Sequence, residues 1–442
     1  MSLLFLAFAL TLSTIAMIWR FGAGRRLSVV TVTFWTLFAL HGASAIPYAL
    51  DLLHRAEFAH TPVPESFPLV IGLSFLCYTA GALAVPAVLR LSVTRAQSQF
   101  FATPTGAGRL RFALFAILSV AAVLVALLYL FGAGATGLTL LRPGADATLL
   151  REHRAGFSEA NPYTYVAALA MNAVLPVLML TALNRAAAVT SWKWRWVGIS
   201  LFVVLLAMSA AGLHKAPIVV AFLYVVINSY YSGHFRRVSL PKTALAGAIL
   251  VVGLGSLGYC LTYDIGPIEA LSWTLHRIAV APQNSLEAFL QVYPKRAEFN
   301  YGTGIGLVAR LLGDNTYVSP PLLVGSLVTG RSDVSLNAFW ASEAWAAAGY
   351  VGVIGASFCV GAGLALADRA CLRSAKSDTC VALYAVWTVS SVSIASVSIL
   401  TVLLSGGFVL AAVVASLLGW TARHRRRRMP LPSGFGAKAC QL

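Results

Sequence analysis

FPLVIGLSFLCYTAGALAVPAVL, residues 67–89, decides the fold. The stretch contains no Asp, Glu, Lys or Arg, and Arg90 follows it at once. About 20 apolar residues in a helix cross the hydrocarbon core of a bilayer. Backbone groups in lipid have no water to bond, so such a run must be helical. The same reading applies to Leu3–Trp19, Val29–Leu50, Phe112–Phe131, Val197–Gly212, Ala244–Leu261 and Leu400–Trp420, all free of those four residue types. None alternates with a period of two, which excludes an outer-membrane barrel. The first run has no basic segment before it and reads as a retained helix, not a signal peptide.

Composition agrees. Of 442 residues, 59% are hydrophobic and only 11% charged, with a mean hydropathy of +0.80. A soluble domain carries about 25% charged residues. Eleven spans are expected, at about 2–19, 28–50, 67–89, 112–131, 163–183, 196–212, 216–231, 243–262, 338–366, 379–396 and 398–420. Together they predict an all-α polytopic integral membrane protein.

Charge orients the chain. Alternating the spans from an outer N-terminus to an inner C-terminus puts 22 of the 32 basic residues on inner segments, with only Asp368 and Asp378 as acids beside them. This is the positive-inside pattern. The net charge of +17 therefore reflects orientation and anionic lipid, not nucleic acid. The basic tail 421–442, with Arg425–Arg428, reads as a stop-transfer anchor. Trp192, Trp194 and Trp196 read as an interfacial belt. The six cysteines fall in helices or on the inner side and imply no disulfide framework. No zinc-ligand spacing is present.

Two outer loops, 132–162 and 263–337, are too long to be simple connectors. In Pro267–Tyr293, apolar residues recur at helical spacing. One or two amphipathic helices on the membrane surface are expected there, broken near Pro282. Gly302, Gly304 and Gly306 read as a hinge, and Pro320–Pro321 with Gly325 as an irregular segment. Asn337 or Ser335 is the expected cap of the ninth span. Gly349, Gly352, Gly355, Gly361 and Gly363 read as a helix-packing face. Apart from Glu343, no acid is expected inside a span, which counts against an ion-coupled transporter.

Four constellations carry the chemistry. Arg142, Arg151 and Arg154, with His153, cluster on the outer side, where the charge rule disfavours arginine. Guanidinium matches phosphate oxygens, so a lipid diphosphate is one reading. Pairing with Asp146, Glu152 and Glu159 is the other. His276-Arg277, followed by Lys295-Arg296, offers an acid or base beside a cation for a pyrophosphate leaving group. The plainer alternative is an interfacial helix with snorkelling bases. Lys215 heads an apolar helix, where the dipole disfavours a cation unless an anion offsets both. Glu343, near Asn337 and flanked by Trp340 and Trp345, is either a base for a sugar hydroxyl or a structural partner for an arginine. Nucleotide-loop, metalloprotease and esterase motifs are absent from the sequence.

Gly212-Leu213-His214-Lys215-Ala216-Pro217 leads into a helix ending in Tyr230-Tyr231. His276-Arg277-Ile278 is followed by Asn300-Tyr301-Gly302-Thr303-Gly304, and Asn337-Ala338-Phe339-Trp340 leads to Ala348-Gly349-Tyr350-Val351-Gly352-Val353. With these segments and its overall architecture, the chain resembles the Wzy-type oligosaccharide repeat-unit polymerases of bacterial surface polysaccharides. The resemblance implies a GT-C-like fold in the bacterial inner membrane, with the active site facing the periplasm. It also implies a metal-independent, inverting glycosyltransferase that needs no cofactor. The substrate would be an undecaprenyl diphosphate-linked oligosaccharide. A flippase and a chain-length regulator of the same pathway are the implied partners. Arg151, Arg154 and Arg277 would then stabilise the leaving diphosphate with help from Lys215, and His276 or Glu343 would be the base. Arg142, Arg296 and Asn337 would contribute to substrate binding. An O-antigen ligase, a flippase or transporter, and a membrane acyltransferase are the competing readings.

Overall fold

The computed structural model describes residues 1–22, 26–53, 62–90, 92–133, 161–211, 215–233, 249, 252–253, 255–260, 263–304, 309, 313, 317–332, 334–336 and 339–420. Their regular structure is helical: α1 (Ser2–Phe21), α2 (Val29–Leu37), α3 (Ala43–Ala49), α4 (Ser66–Val88), α5 (Val93–Ala102), α6 (Phe112–Ala133), α7 (Thr164–Leu169), α8 (Leu175–Ala188), α9 (Trp192–Ala211) and α10 (Lys215–Ser232) come first. Then follow α11 (Pro267–Ala279), α12 (Ala281–Val292), α13 (Pro320–Thr329), α14 (Trp340–Arg373), α15 (Asp378–Ser393), α16 (Ile399–Leu403) and α17 (Phe408–Leu418). A π-helical turn, Phe38–Gly42, joins α2 to α3, and a second, Ala170–Val174, joins α7 to α8. Among the described residues, eight helices are long and apolar enough to cross a membrane. The chain is an α-helical, multi-pass membrane protein.

Of the eleven expected spans, 216–231 is a shorter apolar helix, Pro217–Ser232, and others differ in where the helix stops or breaks. The span expected at 379–396 is the 16-residue α15, about 24 Å long. The one expected at 398–420 is divided into α16 and α17 around Leu404–Gly407. The ninth, expected at 338–366, runs to Arg373 but is interrupted at Ala348 and Gly349. Gly349 has φ 56° and ψ −137°, which a side chain resists. Most of 243–262 and all of 134–160 lie outside the described residues.

α4 and α14 cross at their glycines. A Cβ on Gly81 would land on the carbonyl oxygen of Phe358, and one on Gly361 on that of Tyr78. Backbone-to-backbone approach of this kind is how small residues drive association in lipid. Gly361 belongs to the expected packing face, whereas Gly355 and Gly363 meet nothing and Gly349 makes the break.

One carboxylate ties four helices together. Asp368 of α14 is buried and accepts from the first two amides of α2, Val29 at 2.8 Å and Val30 at 3.3 Å. Tyr384 of α15 donates to it at 2.9 Å, and Tyr78 of α4 donates to the Val30 carbonyl at 2.8 Å. A helix N-terminus leaves its amides without intrahelical partners and carries partial positive charge, so an anion there satisfies both. Ser28 and Thr31 close the same end with a capping box.

Nearby, Asp378 accepts from Arg185 at 3.0 Å and from the Gly108 amide at 3.1 Å. Arg185 also lies over the ring of Trp194, 5.4 Å from its centroid. Trp194 is therefore packed inward, while Trp192 and Trp196 stay exposed as a belt residue should.

Three expectations for 263–337 are corrected. α11 is amphipathic, with Ile268, Leu271, Trp273 and Leu275 exposed. α12 instead is buried in the bundle: Gln283, Asn284 and Glu287 are all covered. Polar partners make this tolerable. Glu287 accepts from Tyr48 at 2.5 Å and from Gln291 at 2.9 Å. Pro320–Pro321 does not mark an irregular segment. It opens α13, because proline fits the first helical positions, where no amide is needed. The residue before Trp340 at the start of α14 is Phe339, which caps without a side-chain bond, so Ser335 does not cap that helix; Asn337 lies outside the described residues.

Asp368→Ala strands two helical amides and a buried phenol. Its cost should be about 3 kcal/mol or more, at 1–3 kcal/mol per buried unsatisfied group. Thermal unfolding in mild detergent should show a large drop for Asp368→Ala and a smaller one for Asp368→Asn, which keeps one acceptor oxygen. Gly361→Leu should be comparably damaging, because backbone cannot move aside at the α4–α14 crossing.

Candidate functional site

The segment 255–260 is helical and packs against α11 through Thr274. Ser256 donates to the Thr274 hydroxyl at 3.2 Å, and Gly255 faces its methyl. This pairing opens a cavity of about 400 Å³ lined by Tyr259, Tyr263, Ser272, Trp273, His276 and Arg277. Its three aromatic rings form one cluster. Tyr259 and Tyr263 stack at 5.8 Å, and Trp273 lies 5.9 Å from the first and 5.8 Å from the second.

His276 and Arg277 are exposed at the last turn of α11, where a helix end favours positive charge. The cavity combines a guanidinium's fork of donors, an imidazole with two ring nitrogens, and flat apolar walls. Such walls suit ligands with apolar faces and polar edges, as sugar rings have.

A second set of polar groups surrounds the broken helix between α15 and α17. Its backbone leaves helical geometry at Ile394–Ser398 and again at Leu404–Gly407. His41, in the first π-turn, donates through Nε2 to the Ala395 carbonyl at 3.0 Å and stacks on Phe339 at 4.0 Å. Asn172, in the second π-turn, donates to the Ser405 carbonyl at 3.0 Å. The Glu343 carboxyl lies beside the Ser398 side chain. Gln283 of α12 donates to the carbonyls of Leu40 and His41 at 2.9 and 3.3 Å.

The π-turns supply carbonyls that a regular helix would occupy, and side chains from neighbouring helices use them. Irregular backbone at membrane depth is found only where protein buries it or where it lines a water-filled space. Ala395 and Gly407 are buried, while Ser396 and Thr401 are exposed.

The residues proposed from sequence do not converge on one point. His276 and Arg277 share the aromatic cavity. Glu343 lies outside that lining, on the short helical piece before Gly349. Arg296 is exposed and donates to the Leu327 carbonyl at 3.4 Å. Lys215 begins α10. Arg142, Arg151, Arg154 and Asn337 lie outside the described residues.

Sequence reasoning missed the aromatic wall, although Tyr259 and Tyr263 stand four apart and Trp273 three before His276. It also missed His41 and Asn172, which no motif flags, and the break at Gly406-Gly407, which sits inside an uncharged run. Glu287, in the long 263–337 segment, is buried.

Compared with family models, with curated proteins and with solved structures, the chain matches none.

If the broken helix faces a water-filled space, Ser396→Cys and Thr401→Cys in a cysteine-free background should react with a membrane-impermeant maleimide in intact vesicles. Cysteine at buried Val389 or Ala411 should not. Equal protection of all four positions would mean that lipid or protein seals the break.

Proposed function

We propose that the protein is a glycosyltransferase of the outer membrane face of a bacterial inner membrane, polymerising undecaprenyl diphosphate-linked oligosaccharide repeat units for a surface polysaccharide. The observation that carries this reading is the shared cavity of His276, Arg277 and the Tyr259–Tyr263–Trp273 cluster. It offers sugar-compatible walls and a phosphate-compatible cation within one space. The inside-positive charge pattern supports an outward-facing cavity.

In the proposed reaction, an acceptor sugar hydroxyl attacks the anomeric carbon of the lipid-linked glycan. The new glycosidic C–O bond forms as the bond to the diphosphate breaks, and undecaprenyl diphosphate leaves with the bonding pair. Arg277 meets charge that grows on the leaving oxygen, so it favours the transition state over the ground state. His276 takes the hydroxyl proton. Glu343 is the alternative base, and because it does not line the cavity His276 is the better one in this scheme.

Transport is a second reading. Interrupted helices at membrane depth, with buried polar groups around them, are also how transporters build substrate sites. A ligase acting on the same donor differs from the polymerase only in its acceptor.

Arg277→Ala should abolish polymer while the protein accumulates normally, with a loss of about 10²–10³ in rate, as for removal of one oxyanion-hole donor. Mass spectrometry of lipid-linked glycans from a deletion strain provides the check. Accumulated single repeat units accessible to a periplasmic glycosidase are expected. Single units trapped on the cytoplasmic face would indicate a transporter, and long lipid-linked chains with none transferred to lipid A–core would indicate a ligase.

A further inference from the structure

The aromatic cavity has one wall on each of two helical segments, and two contacts fix the spacing between them. Tyr259 belongs to the segment 255–260, and Trp273, His276 and Arg277 belong to α11. One end of the pair is held by its connection. Only residues 264–266 separate Tyr263 from Pro267, the first residue of α11. Helices joined by so short a loop pack side by side as a hairpin. The other end is held at Thr274, about 10 Å along α11 from that connection.

Thr274 is buried, whereas Trp273, His276 and Arg277 beside it on α11 are exposed. Its hydroxyl donates to the Ala270 carbonyl at 2.8 Å and accepts from Ser256 at 3.2 Å. Those two bonds fix the side-chain rotamer, so the methyl group cannot swing away from residue 255. A Cβ on Gly255 would stand 3.0 Å from that methyl carbon, inside the distance at which carbons pack. The segments come this close because residue 255 has no side chain. Gly255 and Tyr259 are four apart in a helical run and therefore share a face. Any displacement at 255 is passed to the ring of Tyr259, and from there to Tyr263, which stacks on it.

We propose that Gly255 and Thr274 are positioning residues for this cavity, and that their contact sets the separation of Tyr259 and Tyr263 from Trp273, His276 and Arg277. Neither residue lines the cavity, so both act through the groups that do. The inference rests on the proposed glycosyl transfer, because it is the reaction that makes the spacing matter. A sugar held between flat walls loses contact energy steeply when a gap opens. Its anomeric carbon must also stand at the right distance from the base and the cation. Gly255→Ala adds a methyl group that Thr274 cannot sidestep, and the two segments must part by a few tenths of an ångström. Alanine favours a helix over glycine, so a loss of activity in this variant does not come from a weakened helix.

The test pairs a local spectroscopic readout with activity. Full-length protein labelled with fluorotryptophan gives one fluorine resonance for Trp273, identified by its loss in Trp273→Phe. Gly255→Ala should move that resonance and leave those of the other tryptophans in place. Thr274→Ser keeps the hydroxyl and removes the methyl group, so adding it to Gly255→Ala should return the resonance to its wild-type position. Polymer formation in cells should fall about tenfold in Gly255→Ala at unchanged protein level, and recover in the double variant. An unmoved Trp273 resonance, or one that moves equally with and without Thr274→Ser, would overturn the inference. So would a moved resonance with undiminished polymer, because the spacing would then be irrelevant to the reaction. Failure of the polymerase reading looks different: the deletion strain accumulates no single repeat units, while the resonance still answers to Gly255→Ala and to its rescue.

Discussion

Asp368 sits where one helix begins and three others pass. Its carboxylate closes the exposed amides of Val29 and Val30, takes the phenol of Tyr384, and stands beside the Tyr78–Val30 bond. In lipid, an open helix end has no solvent to fall back on. Fixing that end with a single anion sets the height of α2 against α4, α14 and α15. Everything farther along α2 inherits that register, including the π-turn that carries His41. The Arg185–Asp378 pair holds α8 and the start of α15 in the same way. The bundle is thus anchored by polar bonds at one end and loosened by breaks toward the other.

The half near Asp368 is built from continuous helices and backbone-to-backbone contacts at Gly81 and Gly361. The other half holds both π-turns, the divided helix around Leu404–Gly407 and the buried polar helix α12. Each irregularity leaves backbone groups that neighbouring side chains must satisfy. His41, Asn172 and Gln283 do so from three different elements. The result is a polar interior within a chain whose composition is overwhelmingly apolar.

The spans were legible because lipid imposes one rule on every residue of a run, and a charge-free stretch such as 67–89 reports it directly. The breaks were not legible. Ser, Thr, Gly and Ala at 391–407 are compatible with a packed helix as well as with an interruption, and only the neighbours decide. α12 misled for a related reason. Its Gln283, Asn284 and Glu287 look like a solvated face until Tyr48, Ser44 and the carbonyls of a π-turn are seen to meet them. At the candidate site, His276 and Arg277 stood out by charge, while their aromatic surroundings were hidden among the many aromatics of a membrane protein. Glu343 was conspicuous in sequence, yet it lies beside Ser398 of the broken helix and outside the aromatic cavity.

The left-handed turn at Gly349 reverses the course of the chain, so that Trp340 bonds Ser357 at 2.9 Å although they are far apart in sequence. The reversed piece presents its last carbonyls outward, and the amides of Asn300 and Tyr301 take those of Ala346 and Ala347 at 3.0 and 2.9 Å. Trp345 adds a bond to the Tyr293 carbonyl at 3.1 Å. A long excursion of the chain is thereby stapled partway along. Closing a loop in shorter instalments reduces the conformations each part can explore. Lengthening the connection between Gly302 and Pro320 would therefore leave the stretch from α11 to Tyr301 little changed in its wandering, since its far end is already moored to the bundle.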